Sequence, residues 1–174
     1  MDAPILQTDR LVFRPFTPDD LPLIVELHSD PSVQRYMGGA WSAQEMQDTL
    51  DRFVRQQAEQ GHAKWAAFLR DGTFVGRAGV GSFAALEKAG AGGNQEIGYC
   101  FKTAFWGGGL ATEAARAVAG WFFSNTAHDR LFGFTDPANL ASQQVLRKIG
   151  MDSLGPCDLG FGEPSALFRM WRPQ

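Results

Sequence analysis

The chain has 174 residues, 44% of them hydrophobic, and a formal net charge of −3 at pH 7. That length suits one domain with its own core, read here as spanning 1–174, and leaves no room for a second full domain. The lack of any long charge-free apolar run argues against a transmembrane helix and a membrane partner, and the acidic balance offers no basic field for nucleic acid.

Met1 to Asp9 lacks the basic and apolar regions of a signal peptide, so a cytoplasmic protein is expected. Leu11 to Arg14 reads as a first strand. Thr17-Pro18-Asp19-Asp20 then starts a helix, with a capping hydroxyl, a proline at the first position and acids in the first turn. Tyr36 to Trp41 is a short aromatic loop, placed either over a substrate pocket or simply against the core. Ser42-Ala-Gln-Glu45 is a capping box that opens a long helix to about Gln60, stopped by Gly61. Lys64–Leu69 and Thr73–Val80 are predicted antiparallel strands joined by Arg70-Asp71-Gly72. Ala89 to Asn94 reads as a flexible loop leading into a strand over Glu96–Phe101. After Trp106-Gly-Gly-Gly109, a patterned helix begins at Leu110, with Ala114, Ala117, Val118 and Trp121 on one stripe. A strand over Arg130–Thr135 follows. Asn139 caps a helix that ends near Lys148 and Ile149, with Gly150 at its C′ position. Two strands near Met151–Leu154 and Ser165–Trp171 close the chain.

The strand, glycine turn and helix around residue 107 form an anion site in principle. Glycines allow positive φ and close approach, and the first helical turn leaves its amides without partners, at the positive end of the helix dipole. Such amides can hold a pyrophosphate without a basic side chain. Three glycines alone are also what a tight turn requires. Gly79-Val-Gly81-Ser-Phe-Ala84 matches a dinucleotide fingerprint, but its strand belongs to a hairpin and no crossover helix follows, so a nicotinamide oxidoreductase is a poor reading. Cys100 and Cys157 lie outside any Cys-x-x-Cys pair and read as reduced thiols. His28, His62 and His128 are scattered, so no metal site is expected.

Glu96-Ile-Gly-Tyr99, Trp106-Gly-Gly-Gly-Leu-Ala-Thr-Glu-Ala114 and Asn139-Leu-Ala-Ser142 through Gly150 together resemble the GNAT N-acetyltransferases. The opening Thr8-Asp9-Arg10-Leu11 is similar to the branch that contains the ribosomal-protein N-terminal acetyltransferases. The resemblance implies an α+β fold: a twisted, mostly antiparallel sheet of about seven strands, two central parallel strands splayed apart, and about four flanking helices. It implies acetyl-CoA as cosubstrate and no metal. By it, Gly107, Gly108, Gly109, Leu110, Ala111 and Thr112 hold the diphosphate, Tyr99 and Phe101 flank the pantetheine, and Asn139 lies beside that arm. Trp106 stands where the family more often has Gln or Arg. Asn139 also reads as a plain helix cap, and Lys148 as either a phosphate contact or a partner of the helix dipole.

Acetyl transfer needs a neutral amine, because an alkylammonium is mostly protonated at pH 7. Glu96, at the start of the central strand, is the first candidate base, with a plain salt bridge as the other reading; Glu163, in the late Gly160–Pro164 loop, is the competing carboxylate. Ser142 resembles the branch's serine near the thiol, placed to give a proton or a hydrogen bond to the leaving sulfur, and it also reads simply as the third residue of a capped helix. Tyr36 and Trp41 are candidate contacts to the acceptor, a small amine or a peptide N-terminus. The enzyme is expected as a monomer or homodimer, and the rival reading is a non-catalytic acyl-CoA-binding module.

Overall fold

The computed structural model describes residues 4–174. Met1 to Ala3, the start of the segment read as lacking signal-peptide character, lie outside them. Eight strands form one sheet among the described residues: β1 (Leu6–Gln7), β2 (Leu11–Arg14), β3 (Lys64–Leu69), β4 (Phe74–Ser82), β5 (Gln95–Phe101), β6 (Arg130–Thr135), β7 (Asp152–Cys157) and β8 (Ser165–Trp171). Their spatial order is β1-β2-β3-β4-β5-β6-β8-β7. The expected count of about seven is corrected to eight: β1 has two residues, too few to show a period of two.

Among the described residues six α-helices accompany the sheet, where about four were expected: α1 (Leu21–His28), α2 (Pro31–Gln34), α3 (Ala43–Gln60), α4 (Ala84–Lys88), α5 (Leu110–Asn125) and α6 (Leu140–Lys148). The extra two, α2 and α4, are shorter than the window over which a helical period can be read. Just before the Ala89–Asn94 segment read as a flexible loop, α4 buries Leu86 completely. Near Thr17 the chain first makes a 3-10 turn, Pro18–Asp20, and the Thr17 hydroxyl bonds the Asp20 carboxylate at 2.9 Å instead of a backbone amide. The long helix α3 starts as read, with Glu45 N donating to Ser42 Oγ and Ser42 N donating to Glu45 Oε2, and it ends on Gly61 in the left-handed region. No helix among the described residues is long and apolar enough to cross a membrane.

Every pairing is antiparallel except that of β5 with β6, which meet in parallel at one position only, Glu96 opposite Phe132. Beyond it the edge of β5 that faces β6 has no strand partner. The consequence shows in accessibility: Gly98, Tyr99 and Cys100 are only part-buried although they lie in the middle of the sheet.

The two faces are covered differently. On one, α5 buries Leu110, Ala114, Val118 and Phe122 against Trp65, Val80, Ile97 and Phe101 in the largest apolar cluster. Trp121 closes this stripe edge-on against Trp65, ring centroids 4.7 Å apart. On the other, α1, α2 and α3 cover β2 to β4 around Leu27, Leu50, Phe53 and Ala66, while α4 and the β7–β8 connection cover β6 and β8 around Leu86, Phe132, Leu159 and Leu167. These two apolar clusters do not merge. Lys64, Arg77 and Glu96 are buried or part-buried charged residues on this same face, belonging to neither cluster.

Candidate active site

At the end of β5 the chain makes a 3-10 turn, Thr103–Phe105, and then the glycine run that enters α5. Gly107 and Gly109 have φ of 76° and 80°, and Gly109 is the N-cap of α5 with no side chain capping it. None of the amides from Gly107 to Thr112 donates to another group among the described residues. Six consecutive donors at one helix start form a cradle for an anion, and glycine is what lets the backbone present them.

Arg10 fixes the cradle's orientation. Its Nη1 donates to the Gly108 carbonyl at 2.8 Å, and its Nε donates to Glu113 Oε2 at 2.6 Å. Thr8 Oγ1 adds a 2.6 Å bond to Glu113 Oε1. Burial works to raise the Glu113 pKa, but the bonds from Thr8 and Arg10 outweigh it and hold the group below its ordinary value. With the Gly108 carbonyl tied to Arg10, the amides around it are left for a ligand. Thr8 and Arg10 entered the sequence reading only as part of a resemblance; a role for Arg10 was not legible, because its partners lie about a hundred positions away. Trp106 holds the strand end, its Nε1 donating to the Phe101 carbonyl at 2.7 Å.

Across the opening, Asn139 caps α6, its Oδ1 accepting from Ser142 N at 3.1 Å. Tyr99 spans the gap from β5: its hydroxyl lies 3.0 Å from the Ser142 carbonyl and 3.1 Å from Ser142 Oγ. Burial raises the Tyr99 pKa, so the phenol stays protonated. Tyr99, Asn139 and Ser142 are thus brought together beside the split. Lys148 is exposed at the other end of α6, and its carbonyl accepts from Arg116 Nη2.

Glu96 lies on the opposite face. Lys64 Nζ donates to Glu96 Oε2 and to the Glu96 carbonyl, both at 2.6 Å, with the two side chains 8% and 14% exposed. Burial pushes the Lys64 pKa down, and Glu96 pushes it back up. The lysine reaches its partner by crossing Gly98, where a Cβ would come within 2.8 Å of its Cε. Glu163 is exposed in the β7–β8 connection, where nearby Phe161 stacks on Phe83 and lies tilted against Phe134, each at 5.8 Å.

Beside Glu96 on this face stands a cluster that sequence reading missed. Trp41 stacks on His28 with ring centroids 4.1 Å apart. Arg77 Nε donates to His28 Nε2 at 3.2 Å, so the imidazole proton sits on Nδ1, 3.3 Å from Gln34 Oε1. Tyr36, five residues before Trp41 in the same loop, packs under Arg35 at 5.2 Å. The one signal available was Arg77 itself, a charge inside a run of small and apolar strand residues.

Burial, followed by the Arg77 charge, lowers the His28 pKa from 6.5 to about 3. An unfolded chain protonates this histidine near its ordinary value, so the folded state binds fewer protons at acid pH. The stability it contributes is complete above the unfolded pKa and is lost as pH falls toward the folded one. About 1.4 kcal/mol is expected to disappear between roughly pH 7.5 and 5.5. His62 is also lowered by burial and adds in the same direction. Denaturant midpoints measured across this range should therefore fall less steeply in His28→Gln than in the parent; equal slopes would contradict the assignment.

A sheet split beside a helix start with free amides defines a mixed α/β protein with unpaired backbone donors at the opening. The family model of the acetyltransferase (GNAT) domain matches residues 10–152, and the chain belongs to that family. It is 32% identical over 148 residues to the uncharacterized protein YkkB of Bacillus subtilis, covering 84% of each chain. Among solved structures it is similar to an acetyltransferase from Agrobacterium tumefaciens, with a TM-score of 0.84 at 22% identity over 98% of this chain and 95% of that one. It is also similar to the aminoglycoside acetyltransferase AAC(6′)-Ib in complex with ribostamycin and coenzyme A, at a TM-score of 0.76 and 19% identity over 94% of each chain. The ribosomal L7/L12 alpha-N-protein acetyltransferase RimL, in complex with coenzyme A, gives a TM-score of 0.76 at 14% identity over 97% of this chain and 98% of that one. Among the described residues no group of three or more His, Cys, Asp or Glu could hold a metal ion.

Proposed function

We propose that this chain moves an acetyl group from acetyl-CoA to a primary amine by direct attack within a ternary complex, in the cytoplasm. One observation carries the reading: the free amides of Gly107 to Thr112 lie at the end of the strand whose other edge is open. In this reading Gly107, Gly108, Gly109, Leu110, Ala111 and Thr112 bind the diphosphate, and Lys148 meets a phosphate. Tyr99 and Phe101 line the path of the pantetheine, with Asn139 opposite. Because the Phe101 carbonyl already accepts from Trp106, its contribution is the amide.

The acceptor enters on the face with Glu96, between Trp41 and Tyr36 on one side and the β7–β8 connection on the other. Glu96 is the base for the ammonium proton, with Glu163 as the carboxylate that can swing in from that connection. Ser142, its hydroxyl set by Tyr99, donates a hydrogen bond to the leaving sulfur, and the proton released by the ammonium balances the thiolate. Holding both reactants in one cleft contributes several kcal/mol to the rate, on the order of 7. The solved neighbours include an aminoglycoside enzyme and a protein N-terminal enzyme, and the acceptor here is a small amine or a peptide N-terminus. The protein acts as a monomer or homodimer.

The test follows free thiol release from acetyl-CoA with pooled amines. Amine-dependent release is expected, reduced roughly 100-fold in Ser142→Ala. Binding of acetyl-CoA with no release for any amine would instead make the chain a binding module.

A further inference from the structure

We propose that the acceptor is a small amine that carries a carboxylate, and that Arg77, aided by Gln34 and Arg52, binds that carboxylate on the helix-covered face of β5. This deepens the acetyl-transfer reading above and rests on it. Strand β4 is otherwise small and apolar, and all but its last residue are buried, Arg77 among them at 6% exposure. A buried guanidinium ordinarily meets a carboxylate, because an unpaired charge away from water is costly. Arg77 meets none: no Asp or Glu oxygen lies within ion-pair distance of it among the described residues, and its one hydrogen bond, from Nε, goes to a neutral histidine. Its guanidinium lies over the Phe53 ring at 5.4 Å. Neither Nη group has a hydrogen-bond partner among the described residues, and neither is fully enclosed, so both remain reachable by a ligand.

The chain of donors points the same way. Arg77 donates to His28, His28 must then donate to Gln34 Oε1, and this orients the Gln34 amide so that its Nε2 is a donor with no partner. Gln34 is 2% exposed. An orphaned buried donor at the end of such a chain calls for an acceptor atom that the protein does not supply.

The charges around it are unbalanced as well. Arg77, Lys64 and Arg52 act on one another, against Glu96 alone, which is taken by Lys64. Asp30, whose charge is felt at Cys100, spends its oxygens on Ser32 N and Thr103 Oγ1. The excess is positive although the chain is acidic overall. The diphosphate does not supply the missing charge, since it has its own amides at α5. A carboxylate does: it is planar, accepts two parallel bonds from a guanidinium fork, and has lone pairs left for Gln34. Arg77 is the register partner of Cys100, so an anion held there sits beside the open stretch of β5 where an amine would attack. An amine and a carboxylate that close together describe an amino acid.

The test measures calorimetric binding to the CoA-loaded protein, and turnover with acetyl-CoA, for each of the twenty proteinogenic L-amino acids against its own amide, with spermidine as a cationic amine. At least one amino acid should bind ten-fold or more tighter than its amide. In Arg77→Gln that ratio should collapse to near one with the amide unaffected, the change appearing in KM and not in kcat. Arg52→Gln, at an exposed position of α3, should narrow the ratio several-fold, and it decides the matter should Arg77→Gln fail to fold. No amino acid exceeding its amide, or spermidine surpassing them all, overturns the proposal. So does a preference for succinyl-CoA over acetyl-CoA that vanishes in Arg77→Gln, which would put the carboxylate on the acyl donor. Amino acids that bind but receive no acetyl group would sink the transfer reading and leave the carboxylate site standing.

Discussion

Glu96→Gln is expected to destabilise the protein by about 3–5 kcal/mol and to slow acetyl transfer by at least about 100-fold. The stability loss follows from Lys64, whose ammonium is buried and loses its only counter-charge while keeping the Glu96 carbonyl. Lysine can escape part of this cost by shedding its proton, which gives the effect a pH signature. In the variant the folded pKa of Lys64 is depressed below its unfolded value, so the folded state binds fewer protons. Stability should then rise as pH climbs toward that unfolded value and fall again as pH drops, a slope the parent protein shows less of. The activity loss has a separate cause if Glu96 takes the ammonium proton. Adding Lys64→Met removes the stranded charge and should restore most of the melting temperature. A stable double variant that stays inactive assigns the proton transfer to Glu96. Recovery of full activity would reduce Glu96 to the partner of a buried lysine and pass the base role to Glu163.

Gly109→Val is expected to weaken CoA binding about 100-fold, roughly 2.7 kcal/mol, while changing the melting temperature little. The residue sits at φ 80°, where an L side chain costs about 1–2 kcal/mol and a β-branched one more. The loop is exposed, so the chain relieves that strain by turning its peptide planes rather than by unfolding. Turning them re-aims the amides that the cradle depends on. Its neighbour provides the control. Gly108 has no positive φ, and an added Cβ would meet nothing within 4 Å, so Gly108→Ala should alter affinity less than about threefold. CoA titrations of both variants would read the difference directly. Parental affinity in Gly109→Val would mean that the glycines only turn the chain.

The sequence by itself determined the elements whose polar groups are satisfied a few residues away. The Ser42 capping box, the Asn139 cap and the glycine entry to α5 each pair an amide with a group within four positions, or leave it free for that same local reason. Their residue types and spacing were therefore sufficient, and the glycine turn and its helix lie where they were read. The short elements β1, α2 and α4 escaped because two, four and five residues cannot display a period. Tertiary structure alone decided the rest. Arg10 reaches Gly108, Lys64 reaches Glu96 and Arg77 reaches His28 across separations of 98, 32 and 49 residues. No local rule sets such pairs. They follow from the antiparallel register of β3, β4 and β5, from α1 lying on that sheet, and from β1 packing against α5. A charged residue inside a strand announces in sequence only that it will need a partner; which partner it finds, or that it finds none, is decided when distant strands fall into register and water is excluded between them.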